Sequence, residues 1–139
     1  MRKLGLVIGI LLANTCLTSN VVHAATGTFD GMQWSIKITP DDAAKKAGEK
    51  VSKDTMIFKS GQMTSTACVK YGFQPSNYIA TGATTGSLFQ TKQVSPKEGT
   101  MAWSGQVSGD TITGTAIWTK KNGQMLNYSF TGKKQAKSS

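Results

Sequence analysis

The chain has 139 residues, with 16 Lys and Arg against 7 Asp and Glu, and a formal net charge of +9 at pH 7. Two cysteines and one histidine are too few for a zinc cluster or a disulfide-rich scaffold. The length fits one small domain, and the positive charge favours anionic partners, although it also serves solubility.

Residues 1–24 have the pattern of a secretory signal peptide. A basic pair at 2–3 precedes an uncharged apolar run over 4–12, and small residues flank a cleavage point after Ala24. The apolar run is too short to span a bilayer. Cys16 leaves a lipoprotein as an alternative. We therefore expect a periplasmic or secreted protein without a transmembrane span after cleavage.

Cleavage would also remove chemistry that enzymes commonly use. Cys16, His23 and Arg2 would leave with the signal, so Cys68 would be the one remaining cysteine. Without an imidazole base, Ser-His-Asp and Cys-His catalysis are excluded. The absence of arginine disfavours specific phosphate or base recognition, and nucleic acid is not an expected partner.

The first strand and a short helix follow from residue patterns. Trp34, Ile36 and Ile38 alternate with polar residues and predict a half-buried strand over 31–39. Residues 41–47 begin with acids and end with lysines, as the helix dipole favours. They predict a short surface helix.

The middle of the chain is less regular. Residues 66–72, which include Cys68, fit either a helical turn or an irregular strand. Residues 82–86 predict a flexible turn. Short strands are predicted on either side of these segments, over 54–58, 62–65, 78–81 and 88–94.

The last third predicts a three-stranded meander. Apolar and polar residues alternate over 101–107, 111–118 and 126–130, and Asn-Gly at 122–123 is a strong hairpin signal. Gly105 and Gly114 lie inside two of these strands. They indicate close backbone approach or coiling, and would leave room for a ligand.

Together these patterns predict an all-β, mainly antiparallel fold. About seven or eight strands would form an up-and-down meander that closes into a small barrel, because closure removes exposed sheet edges. One short surface helix would accompany the barrel, and an open sandwich is the competing architecture. The predicted units are the signal peptide 1–24, the barrel domain 25–132 and a flexible basic tail 133–139.

The chain also resembles known small barrels. Gly31-Met32-Gln33-Trp34 is similar to the Gly-x-Trp sequence near the start of lipocalins, with one more residue between glycine and tryptophan. Tryptophans on successive strands and the final meander resemble avidin. The segment 54–73 resembles small secreted bacterial proteins of an uncharacterised family. These resemblances imply a barrel architecture but no binding residue or activity.

Four aromatic residues fall on the inward phase of the strands: Trp34, Trp103, Trp118 and Tyr128. Core packing is one interpretation, since small barrels usually fill their interior. The other is a cavity lined by indoles that binds a small apolar ligand, with the tyrosine as polar contact. Cys68 is either a buried apolar residue or one half of an intermolecular disulfide.

No catalytic or metal-binding constellation is recognisable in the sequence. Asp41 and Asp42 fit a helix start, and the other acids lie mainly near turns. We expect no enzyme, cofactor or metal site. We expect an exported barrel that binds a small apolar ligand or serves an envelope role. The alternative is a basic interaction module for an anionic envelope polymer or a partner protein, including a secreted enzyme that it inhibits.

Overall fold

The computed structural model describes residues 28–83 and 86–136. The predicted signal peptide, the tip of the predicted turn over 82–86 and the last residues of the predicted tail lie outside the described residues. Two short helices are α1 (Asp42–Lys46) and α2 (Thr66–Val69). The strands are β1 (Gln33–Pro40), β2 (Ser52–Lys59), β3 (Gln62–Ser65), β4 (Ser76–Ala83), β5 (Gly86–Ser95), β6 (Gly99–Ser108), β7 (Thr111–Thr119) and β8 (Met125–Lys134).

The eight strands form one closed antiparallel barrel. Each strand pairs with its neighbours in chain order, and β8 pairs with β1. The predicted up-and-down barrel is therefore confirmed, and the open sandwich is wrong. Closure pairs the first and last strands, so neither is left as a free sheet edge.

The predicted surface helix over 41–47 is confirmed as α1. The Asp41 side chain accepts a hydrogen bond from the Ala44 amide at 2.8 Å and caps the helix. Gly48 then takes a positive φ of 97°, which ends the helix at low steric cost.

The second helix, α2, lies within residues 66–72, where the sequence allowed a helical turn or an irregular strand, and the helical turn is confirmed. The predicted fold had counted only the surface helix. The Asp54 carboxylate, on β2, accepts hydrogen bonds from the Ala67 amide at 2.8 Å and the Thr66 hydroxyl at 3.0 Å. The Ser65 hydroxyl also donates to Asp54. Because the cap comes from a neighbouring strand, the local sequence around α2 could not decide between the helical turn and the irregular strand.

Strand β8 takes in the first two residues assigned to the flexible tail. Lys133 and Lys134 pair with Ser35 and Trp34 of β1. The Lys134 amide also donates to the Asp110 carbonyl at 2.9 Å. The pairing of β8 with β1, which lie far apart in the sequence, therefore orders two residues whose polar, lysine-rich surroundings predict a flexible tail.

The two ends of the barrel have different connections. At one end, here named the closed end, tight turns at 60–61 and 109–110 join β2 to β3 and β6 to β7. At the other, the open end, longer linkers carry α1 and α2.

Aromatic rings fill the interior towards the closed end. Phe29, just before β1, lies 5.3 Å from Phe58, 5.9 Å from Tyr78 and 6.0 Å from Phe89 between ring centroids. The Phe29 amide donates to the Tyr78 hydroxyl at 2.9 Å, and that hydroxyl donates to Asp30 at 2.7 Å. This end is a packed core in which the Tyr78 hydroxyl both accepts and donates a hydrogen bond.

The strand glycines serve this aromatic packing. Gly105 and Gly114 pair across β6 and β7. A Cβ atom on Gly114 would lie 2.6 Å from the Phe130 ring, and one on Gly105 would lie 2.5 Å from the Phe89 ring. The predicted close approach is correct, but protein rings fill the space that we expected a ligand to use.

Candidate functional site: a cavity at the open end

A cavity of about 400 Å³ lies at the open end. This volume is within the range of roughly 300–1,000 Å³ that is usual for small-molecule sites. Strands, α2 and the linker between β1 and β2 all contribute to its wall. The apolar part of the wall includes Ile38, Ala67, Phe73, Met101, Trp103, Ala116 and Trp118.

Three of the four predicted ligand-binding residues meet at this cavity. Trp103, Trp118 and Tyr128 line it, whereas Trp34 does not. Trp34 is completely buried, and its Nε1 has no hydrogen-bond partner within the described ranges. Period-two alternation places a side chain inside or outside a barrel but does not give its depth along the axis. Trp34 shares the inward phase but belongs to the core.

Trp103 separates the packed core from the cavity. Its ring centroid lies 5.6 Å from that of Phe130 on the core side. Its Nε1 donates to Gln93 Oε1 at 2.9 Å, and Gln93 Nε2 donates to the Gln74 carbonyl at 3.2 Å. Gln93 is fully buried. The indole at the base of the cavity is therefore fixed in orientation before any ligand enters.

Trp118 is half-buried at the other side of the cavity. Its Nε1 donates to the Glu98 carbonyl at 2.8 Å, in the turn between β5 and β6. The Lys120 ammonium lies 4.8 Å from the centroid of its ring. This indole thus has a fixed polar edge and an apolar surface available to the cavity.

Tyr128 provides a polar group in the cavity wall. Its side chain is buried, and burial together with the nearby Glu49 carboxylate raises the pKa of the Tyr128 hydroxyl well above its usual range. The hydroxyl is therefore neutral at physiological pH, with the Glu49 carboxylate as a neighbouring acceptor, and its oxygen can accept a hydrogen bond.

Cys68 lies on α2 and lines the same cavity as a free thiol. It is only 9% exposed, and burial raises the pKa of the thiol. A protonated buried thiol is a poor nucleophile. The intermolecular disulfide stays a prediction, and a partner thiol would have to reach a largely covered sulfur atom.

Several carboxylates hold the fold together. Asp41 caps α1, Asp54 caps α2, and Asp30 accepts from Tyr78 and from the Gly61 amide at 3.0 Å. Among the described residues, no group of three or more His, Cys, Asp or Glu side chains is arranged to hold a metal ion. The cavity instead offers apolar surface with a few polar groups.

Sequence reasoning missed the residues at the mouth of this cavity. Lys50, Lys70 and Tyr71 lie in the linkers at the open end, where no periodicity marks them. A topological rule would have found them. In an up-and-down barrel, alternate connections lie at the same end, so the β1–β2 and β3–β4 linkers must share one rim.

No family model matches this chain, and no curated protein and no solved structure is significantly similar to it. In the part of the chain that the structure describes, no helix is long and apolar enough to cross a bilayer.

Proposed function

We propose that this protein is a non-enzymatic binding protein that holds a small apolar ligand in the cavity at the open end. We further propose that it acts in the periplasm or outside the cell, as its amino-terminal sequence predicts. The observation that carries the proposal is the cavity of about 400 Å³ between two oriented indoles and a neutral phenol.

Two features of the wall support binding over catalysis. Its aromatic and aliphatic surface suits burial of apolar ligand atoms, which stabilises a complex by roughly 25 cal/mol per Å² of apolar area. Its thiol and phenol both have raised pKa values, so neither is activated as a nucleophile or base at neutral pH. A barrel with a purely structural envelope role would have no need for this space.

The test is uptake of an uncharged naphthylamine dye, whose fluorescence rises in apolar surroundings. An uncharged dye avoids attraction by surface lysines. Ala116 is buried in the cavity wall, opposite Trp103 on β6. Ala116→Leu would occupy the cavity and should reduce dye uptake at least tenfold. Trp118→Ala, at the half-buried rim, should weaken uptake by removing apolar contact area.

The matched control is Ala102→Leu, which adds the same atoms on β6 outside the cavity lining. Near-ultraviolet circular dichroism should confirm native packing in all three variants. Dye uptake that is absent in the wild type, or unchanged in both folded cavity variants, would rule out the proposal.

A second candidate function is the basic interaction module, and one surface favours it. Lys37 and Lys53 are directly opposed on β1 and β2, and Lys133 lies nearby on β8. Like charges directly opposite each other destabilise a sheet. A bound polyanion would neutralise these lysines and relieve their repulsion, which would make its binding more favourable. An anionic envelope polymer is the fitting partner.

Binding to an immobilised sulfated polysaccharide tests this second function. Wild-type binding should weaken steeply with salt. Lys37→Gln combined with Lys133→Gln should reduce it, whereas Lys50→Gln combined with Lys70→Gln, at the cavity mouth, should reduce it less. Equal loss from both pairs would mean that net charge alone, and not this surface, attracts the polymer.

A further inference from the structure

The mouth of the cavity carries several lysines without ionic partners. Lys50, Lys53 and Lys70 all contribute to the lining. Within 28–83 and 86–136, the one ion pair closer than 4 Å joins Lys45 to Asp42 at 3.8 Å and involves none of these three ammonium groups. The mouth therefore has cationic groups available to neutralise a ligand.

Two acidic residues also line the mouth. Glu49 lies beside the Tyr128 hydroxyl, whose pKa its charge helps to raise. Glu98 accepts a hydrogen bond from the Trp118 indole through its backbone carbonyl, and its carboxylate adds the second negative charge. Three lysines against two glutamates give this rim an excess of positive charge.

The cavity changes from polar to apolar with depth. The lysines come from the linkers and from the first residues of β2, at the rim, whereas Trp103 and Ala116 are buried inside the strands. Tyr71 lines the cavity and is 52% exposed, and the Lys70 ammonium lies 5.1 Å from the centroid of its ring. Aromatic surface therefore continues outward to the rim beside this lysine. A wholly apolar ligand would make no ionic interaction with these ammonium groups.

We infer that the ligand is a single-chain amphiphile with an anionic headgroup, its chain lying against Trp103 and its headgroup between Lys50 and Lys70. This inference rests on the proposed function. Such a headgroup would accept charge-assisted hydrogen bonds from the exposed Lys50 and Lys70 ammonium groups at the rim. A carboxylate and a phosphate share this chemistry, and the structure favours either over a neutral or cationic head.

The experiment displaces the bound naphthylamine dye with four ligands of equal chain length: decanoate, decyl phosphate, decanol and decyltrimethylammonium. At neutral pH and low salt, at least one anion should displace the dye at a concentration about three- to tenfold lower than decanol, as expected for partly shielded ion pairs. The cation should be weakest. The better anion identifies the headgroup, and high salt should reduce its advantage.

Lys50→Gln combined with Lys70→Gln should abolish the preference for the anion, so that on this variant the anion and decanol displace the dye at similar concentrations. The matched control, Lys59→Gln combined with Lys134→Gln, removes the same charge at the closed end and should keep the preference. If the dye binds and decanol equals both anions, the inference is wrong although the proposed function stands. If the mouth and control pairs behave alike, the headgroup position is wrong. If no dye binds, the proposed function itself fails.

Discussion

The closed and open ends of this barrel are made from the same strands but have different interiors. At the closed end, the rings of Phe29, Phe58, Tyr78 and Phe89 pack together, and the centroids of contacting rings are 4.8 to 6.0 Å apart. At the open end, Trp118 and Tyr128 face a space of about 400 Å³. Close packing is the normal condition of a protein interior. Under the proposed function, the ligand would lie in this space at the open end.

Side-chain size explains the difference. Towards the closed end, glycines on β6 and β7 let the Phe130 ring lie directly on the backbone. Towards the open end, Ala116 occupies β7 and Cys68 lies on α2, so small side chains face the large indoles without filling the space between them. Residues at the closed end therefore stabilise the fold, whereas those at the open end leave a space. Substitutions at the closed end should lower the free energy of unfolding more than substitutions at the open end.

The largest expected effect is that of Phe58→Ala, at the closed end. Phe58 is fully buried, and its ring lies 4.8 Å from Tyr78 and 5.2 Å from Phe89. Its loss should lower the free energy of unfolding by about 3–5 kcal/mol. Trp118→Ala, at the half-buried rim, should cost only about 1 kcal/mol. Urea denaturation measures both, and equal losses would contradict the division of the barrel into a packed and an open end.

A smaller effect is expected for Gly114→Ala. The added Cβ would lie 2.2 Å from the Ser104 carbonyl oxygen, so the strands must move apart, and we expect a loss of about 1–3 kcal/mol. Gly82→Ala is the matched control, because a Cβ there has no atom within 4 Å. It should change stability by less than about 0.5 kcal/mol. Similar denaturation midpoints for the two variants would show that contact with the rings does not require glycine.

Alternation in the sequence was sufficient to predict the barrel and most of its strands. Trp34, Trp103 and Tyr128 are all buried, as their phase predicts. The depth of each residue was not predictable in the same way, because it depends on strand register around the whole barrel. For this reason Trp34 joined the predicted cavity residues although it does not line the cavity.

The mouth and α2 depend on contacts between distant residues. Asp54 caps α2 from another strand, and Lys50 reaches the same rim as Lys70 only because two linkers lie at one end of a closed barrel. Neither relation has a periodic signal in the sequence. The fold was thus accessible from local pattern, whereas the candidate site required the three-dimensional arrangement.

Tyr78→Phe should have a moderate effect that also depends on pH. The change leaves the buried Phe29 amide without its acceptor and should cost about 1–2 kcal/mol. Burial and the Asp30 carboxylate raise the pKa of Tyr78 to about 12, from an ordinary value near 10. Because the neutral hydroxyl is favoured in the folded state, its contribution is complete below about pH 10 and is lost as pH rises towards about 12.

The measurement is urea denaturation between pH 8 and pH 12, with wild type and Tyr78→Phe compared at each pH. The two proteins differ by this one hydroxyl, so the difference between the two curves isolates Tyr78. This difference should shrink at high pH. A difference that stays constant would show that the phenol does not ionise in this range.

Tyr128→Phe, at the open end, should lower the free energy of unfolding by less than about 1 kcal/mol at neutral pH.

The smallest stability effect is expected for Cys68→Ser, in the cavity wall. Serine has nearly the same shape, and the side chain faces a space with few partner atoms, so the loss should stay below about 1 kcal/mol.

The reactivity of the Cys68 thiol then shows whether the open end admits small molecules. Because burial raises the pKa of Cys68, its reaction with a small uncharged disulfide should be slower than that of free cysteine at pH 8 and should still accelerate above pH 9. Decanoate should slow the reaction further at concentrations too low to change the unfolding midpoint. If the reaction occurs only in denaturing urea and is insensitive to decanoate, the cavity does not admit small molecules from solution, and the two ends of the barrel are functionally alike.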